Sequence, residues 1–343
     1  MSPKNDLPSV LSSPEWLPSH WDNARGKVKF EWIARDRHGQ LTFLGDEYLQ
    51  PLSLPSVAKS LGELTSAGMP QPSAPHYIFH SAFCCSTLLA RALDAAGASM
   101  ALKEPQILND LAAAMQARTL AREPLDIIIR LLARPFGPGE RIVIKPSNSV
   151  NLLAPALMDL DAGSKAIFLY APLDRFLGSI AAKGLWGRRW ARHLYAALRA
   201  DTGLDFGIPA GEEFELTDIQ AAALAWLMHH AQAEALLQRF PQRLRTLDSE
   251  TFLERKADVI EAAAMHFALP LDREAAERIA AGPVFREHSK EIGRAVDPQT
   301  RFDRANSAAI IGEEIAMVVT WTISVAQHVG LAVEFAPASG LVP

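Results

Sequence analysis

Residues 80 to 94 read HSAFCCSTLLARALD and follow the short apolar run HYIF. Five small or polar side chains, Ser81, Ala82, Cys84, Cys85 and Ser86, surround Phe83, and Thr87 then opens a helical pattern of Leu88, Leu89 and Leu93. A strand that turns through such residues into a helix is the layout of an anion cradle. The first amides of a helix lack intrahelical partners, and the helix dipole favours negative charge there by about 0.3–1 kcal/mol. Set against the phosphate-loop pattern G-x-x-x-x-G-K-[ST], only Thr87 fits, because His80 and Cys85 stand at the glycine positions and Ser86 at the lysine position. The stretch reads as a phosphate loop without its lysine; the bland alternative is a tight turn with no ligand.

Further chemistry-bearing residues recur where other apolar runs end. Glu104 lies in ALKEPQ and Lys145 in RIVIKPSNS, with Ser147 and Asn148 just behind. A structural reading gives Glu104 a salt bridge to Lys103 or a capping role, leaves Lys145 solvated, and makes Ser147 and Asn148 a plain turn. The segment KGLWGRRWARHLYAALR interleaves Lys183, Arg188, Arg189, Arg192, His193 and Arg199 with Trp186, Trp190 and Tyr195. It reads either as a nucleotide or acceptor clamp or, for most of these residues, as a solvated basic face whose tryptophans enter the core. FREHSKEIGR gathers Arg286, His288, Lys290 and Arg294 near a glycine. His229 and His230 are adjacent rather than one helical turn apart, which argues against a metal site.

The elements that must position these residues follow from periodicity. From His76 onward, YIFHSA, SMALKEP, RIVIKPS, AIFLYAP and RLRTLD alternate with helical segments. This predicts an α/β fold, a three-layer sandwich with a mostly parallel central sheet and helices on both faces. A convincing helix covers residues 218–240, with Thr217 or Asp218 at its start. Ligands of open α/β sheets gather at the carboxyl ends of strands, where HSAFCCST, KEP, KPSNS and APLDR lie. Residues 1–75, rich in proline and serine, read as an N-terminal extension with a β hairpin of KVKFEWIA and LTFL around RDRHGQ. Residues 76–300 read as the main domain and 301–343 as a C-terminal helix and tail on its core.

The order of these pieces resembles the sulfotransferase family: a strand and loop ending in Ser-Thr-Leu-Leu, a strand ending in Lys-Glu-Pro, a third ending in Lys-Pro, and a fourth followed by Pro, Arg and Ser. RLRTLDSETFLERKADVIEAAAMHFALPLD is similar to that family's last strand, acidic-Leu segment and small helix, so the resemblance spans about 76–300. It implies a phosphate-loop-type sandwich, 3′-phosphoadenosine 5′-phosphosulfate as co-substrate without a metal, and transfer of its sulfuryl group to a hydroxyl or amine acceptor. By this resemblance Ser81, Ala82, Phe83, Cys84, Cys85, Ser86 and Thr87 hold the donor, Glu104 is the base, and Lys145 supplies the cation that Phe83 does not. The family carries a basic residue where this chain has Phe83, and a glycine where it has Cys85. Its later Arg and Ser for the 3′-phosphate fall near Tyr170 and Ala171, and Arg175, Ser179 and Lys183 are the nearest substitutes.

Composition bounds the alternatives. The chain has 343 residues, 49% of them hydrophobic, enough for a large globular core. A net charge of -5 and a pI near 6.1 argue against a general nucleic-acid binder. The start lacks a signal-peptide pattern, and the longest apolar helical run, about 308–329, contains Glu313 and Glu314, so no membrane span is expected. The two cysteines, Cys84 and Cys85, are adjacent and suit a reducing cytoplasm. Two competing functions stay open. One is a phosphate-loop kinase, needing Mg²⁺ and an acidic ligand such as Asp174 or Asp248; the other is a sulfotransferase-like fold retained for binding alone.

Overall fold

The structure is a computed structural model and describes residues 3–209, 211–288, 291–295 and 312–343, with backbone alone at 287–288 and 291–295. After β1 (Trp16–Asp22), β2 (Lys27–Trp32) and β3 (Ser56–Ser60), apolar runs form the central strands β4 (His76–His80), β5 (Ser99–Lys103), β6 (Arg141–Lys145) and β7 (Ala166–Tyr170), and the more polar LRTLD forms β8 (Leu244–Asp248). Strands β4 to β8 make a five-stranded parallel sheet in the order β5-β6-β4-β7-β8. Every residue of β4 and β5 is buried, as expected for parallel strands covered by helices on both faces. Strand order reverses at β4, and the crevice outside the carboxyl end of such a strand is where open α/β sheets take ligands. The loop of residues 81–85 leaves that end. The fold is the α/β three-layer sandwich expected from the alternation.

Two compact units make up the chain. The first comprises the described residues of 1–79, 86–167 and 256–294. Its core is built from Ile78 and Phe79 of β4, Leu102 of β5, Val143 and Ile144 of β6, and inward faces of the Gln106–Gln116, Arg122–Leu132 and Lys256–Phe267 helices. The Ser86–Ala92 helix packs on β5 and β6. The second unit comprises 80–85, 168–255 and the described part of 295–343. There the Asp218–Arg239 helix is apolar nearly all round, and it packs on the Leu173–Ala181, Gly184–Thr202 and Gly312–His328 helices. Its start is fixed by a capping box in which Thr217 accepts from the Gln220 amide and Gln220 from the Thr217 amide.

The N-terminal residues differ from expectation in an instructive way. KVKFEW does form a strand, β2 (Lys27–Trp32), but its antiparallel partners are β1 (Trp16–Asp22) and β3 (Ser56–Ser60). RDRHGQ is a helix, Arg35–Gln40, and LTFL is not a strand. Asp36 in its first turn and Arg37 in its last suit the helix dipole, and the helix buries a neutral His38. Pro18, which brings no N–H to the ladder, hid β1 from a pattern search, and the register shifts between Pro18 and His20. Buried Arg134 ties this region down by donating to the carbonyls of Val10, Leu11, Ser13 and Trp16 at 2.5–3.2 Å. Its fork of donors is thus satisfied without a counter-ion.

Candidate functional site

The loop after β4 owes its shape to backbone rather than to glycine. Ala82, Phe83 and Cys85 adopt left-handed φ of 70°, 50° and 65°. Each such non-glycine residue costs about 1–2 kcal/mol, so the surroundings must hold the loop. Two anchors are visible. The Ala82 amide donates to His80 Nδ1 at 3.1 Å, which places the ring proton on Nε2. The Phe83 ring packs edge-on against Trp190 and tilted against Phe176, with centroids 5.0 and 6.1 Å away. Successive backbone amides in turns with left-handed residues can make an anion-binding concavity. Ser81 and Cys84 are buried, Cys85 is half-buried, and Ser86 and Thr87 are buried where the helix begins.

Glu104 and Lys145 meet in the first unit. β5 and β6 pair in register, Lys103 opposite Lys145, and the Glu104 amide donates to the Lys145 carbonyl at 2.6 Å. Glu104 then turns through φ 52°, and its carboxylate closes on Lys145 Nζ. The lysine side chain is 1% exposed and the glutamate 25%. Lys145 Nζ also lies 5.4 Å from the Phe43 ring centroid. The structural alternatives for both residues are thereby corrected: Glu104 does not pair with Lys103, whose buried ammonium donates to the Gly39 carbonyl at 3.0 Å, and Lys145 is not solvated. Nor does Glu104 cap the following helix, whose cap residue is Pro105 with no side-chain bond. Beyond β6, Ser147 Oγ donates to Asn109 Oδ1 at 2.6 Å and shares a 2.7 Å bond with Ser149.

The residues proposed for the 3′-phosphate separate. Arg175 is exposed and faces Glu250 and Asp174 at 3.4 and 3.8 Å, and Ser179 donates to the Arg175 carbonyl. Lys183 alone reaches the loop, with Nζ 5.9 Å from the Phe83 ring centroid. Tyr170 sets its ring edge-on to His230 and Phe335, while the Ala171 carbonyl accepts from Trp226. On the Gly184–Thr202 helix, Arg188, Arg192 and Arg199 pair with Glu314, Asp218 and Glu213. The expectation that its tryptophans enter the core fails: Trp186 is exposed and Trp190 half-buried, because Ala191, Leu194, Tyr195 and Leu198 supply the buried stripe. Arg286 donates to the Ala281 carbonyl, whereas the side chains of His288, Lys290 and Arg294 lie outside the described residues.

Phe43, Asn109 and Ser149 were not singled out from sequence. Asn109 carried a signal, since Gln106, Asn109 and Asp110 form a polar stripe on an otherwise apolar helix start, but nothing local ties Phe43 to a lysine about a hundred residues on. Compared with protein-family models and with curated proteins, the chain matches none.

Proposed function

We propose that this chain is a sulfotransferase that binds 3′-phosphoadenosine 5′-phosphosulfate through the loop of residues 81–87 and passes its sulfuryl group to a hydroxyl or amine. One observation carries the reading: a loop at the carboxyl end of the order-reversing strand holds three strained, non-glycine left-handed residues ahead of a helix. Strain retained at such a place is characteristic of ligand clamps. The Glu104–Lys145 pair of the first unit supports the same reading, since it holds a partly exposed carboxylate and a fixed cation, the kinds of group this transfer needs. In the reaction, the acceptor oxygen or nitrogen forms a bond to sulfur as the bond from sulfur to the phosphate oxygen breaks. The acceptor gives up its proton as that bond forms, so the chemistry calls for a base and for a cation to offset charge on the departing phosphate oxygen.

Against a kinase stand the missing loop lysine and the role of Asp248, which caps the Ser249–Glu254 helix by accepting from the Thr251 amide at 2.8 Å. Titration calorimetry with adenosine 3′,5′-bisphosphate, and separately with ATP and Mg²⁺, tests the proposal. Binding of the bisphosphate without metal is the expected outcome. No heat with it, or heat only with ATP and Mg²⁺, overturns the reading. A Thr87→Val variant should weaken that binding about 10-fold or more while remaining folded.

A further inference from the structure

The Gly184–Thr202 helix begins with apolar surface that its packing does not use. Leu185 is 72% exposed and Trp186 60%. Gly187 sets this arrangement, because a Cβ there would stand 2.3 Å from the Ile180 carbonyl; only glycine lets the helix start so close to the one before it. With Gly187 inward, Trp186 and Trp190 fall on the outer side, one turn apart. Their indoles are near-parallel, at 13° with centroids 6.5 Å apart, and Trp190 in turn meets Phe83 of the loop. Lys183 Nζ stands 5.6 Å from the Trp186 ring centroid and 5.9 Å from that of Phe83, within cation–π range of both.

We propose that Phe83, Lys183, Trp186 and Trp190 form a subsite for a flat ring carrying an anionic group. Exposed indoles stack on any flat ring, whatever its hydrogen-bonding edge, and an ammonium held between two rings selects the ring that brings negative charge. Continuity with the loop favours a small ligand over a partner protein, because Phe83 belongs to both. Two sources share this chemistry: the purine of a nucleotide, and the aromatic ring of an acceptor or its sulfate ester. The inference rests on the proposed function only in taking the loop as the seat of the anion.

Calorimetry of wild type, Trp186→Ala, Trp190→Ala and Lys183→Met with three probes decides it. The probes are adenosine 3′,5′-bisphosphate, 2-naphthyl sulfate and ringless pyrophosphate. At least one ring-bearing probe should bind wild type and lose about 10-fold or more in affinity with each tryptophan change, while pyrophosphate is indifferent to both. Lys183→Met should weaken the same probe. Loss confined to the bisphosphate identifies a purine subsite, and loss confined to the naphthyl ester an acceptor subsite. Tryptophan-dependent binding of the ester by a protein that ignores the bisphosphate keeps the subsite and sinks the sulfotransferase reading. Equal affinities across the variants, no binding of either ring probe, or tryptophans protected only by self-association overturn the subsite.

Discussion

Glu104 and Lys145 close on each other from the ends of two adjacent parallel strands, the ammonium sealed from solvent and the carboxylate a quarter exposed. The two partners therefore have unequal claims on stability. Glu104→Gln strands a buried charge and should cost about 3–5 kcal/mol, whereas Lys145→Met leaves a carboxylate that water can reach and should cost clearly less. Urea unfolding of both singles and the double variant measures this, with the double recovering part of the loss. Equal costs for the singles would refute the asymmetry. Turnover per folded molecule should also fall about 100-fold or more in Glu104→Gln, once an acceptor is in hand.

Ala82 holds φ 70° and is half-buried. Ala82→Gly should relieve about 1–2 kcal/mol of strain against about 0.5–1 kcal/mol of added chain freedom, a net gain of up to about 1.5 kcal/mol. Phe83→Gly relieves similar strain but forfeits the ring contacts to Phe176 and Trp190, so it should destabilise. Unfolding midpoints that move the same way in both variants would show that the loop is not held as described.

Acid should unfold the protein early. Burial lowers the pKa of His38 and His230 to about 3 and of His76 and His229 to about 4. The folded state thus resists protons that the unfolded chain takes up below about pH 6.5, and stability present above that value falls as pH drops toward 4. The slope is roughly 1.4 kcal/mol per pH unit for each histidine. His20, bonded to Asp110 and beside Asp46, has a raised pKa and works the other way, adding stability that is lost as pH rises through its folded value. Urea midpoints from pH 7.5 to 5 should decline steeply. His230→Phe, between Trp226 and Phe335, should remove one proton from that slope, and an unchanged slope would rule out His230 as a contributor.

The two neighbouring thiols should behave differently. Cys84 is 1% exposed and Cys85 half-buried, so a thiol reagent should label one quickly and the other only on unfolding. Adenosine 3′,5′-bisphosphate should slow the fast reaction. Two equal rates in the free protein contradict the burial, and a fast rate untouched by the nucleotide places the ligand away from Cys85.

The sequence by itself determined the alternating strands and helices, since the apolar runs of β4 to β7 are long enough to be buried on both faces wherever they fall, and the more polar β8 sits at the sheet edge. It also marked residues 81–85 as a strand-to-helix turn of mostly small side chains, and Glu104 and Lys145 as strand exits. It could not set strand order, which depends on long-range pairing, and so could not tell that β5 and β6 are neighbours and that the glutamate would choose Lys145 over adjoining Lys103. Left-handed backbone at Ala82, Phe83 and Cys85 was equally hidden, for these residue types ordinarily avoid it and tertiary contacts, among them those of Phe83 and His80, must enforce it. The N-terminal strands were misread for the same reason: Pro18 masks β1, and β2 finds its partners through the shared burial of Val28 and Phe30 rather than through the nearest apolar run. Local pattern fixes which residues want to be buried, and tertiary packing decides against what.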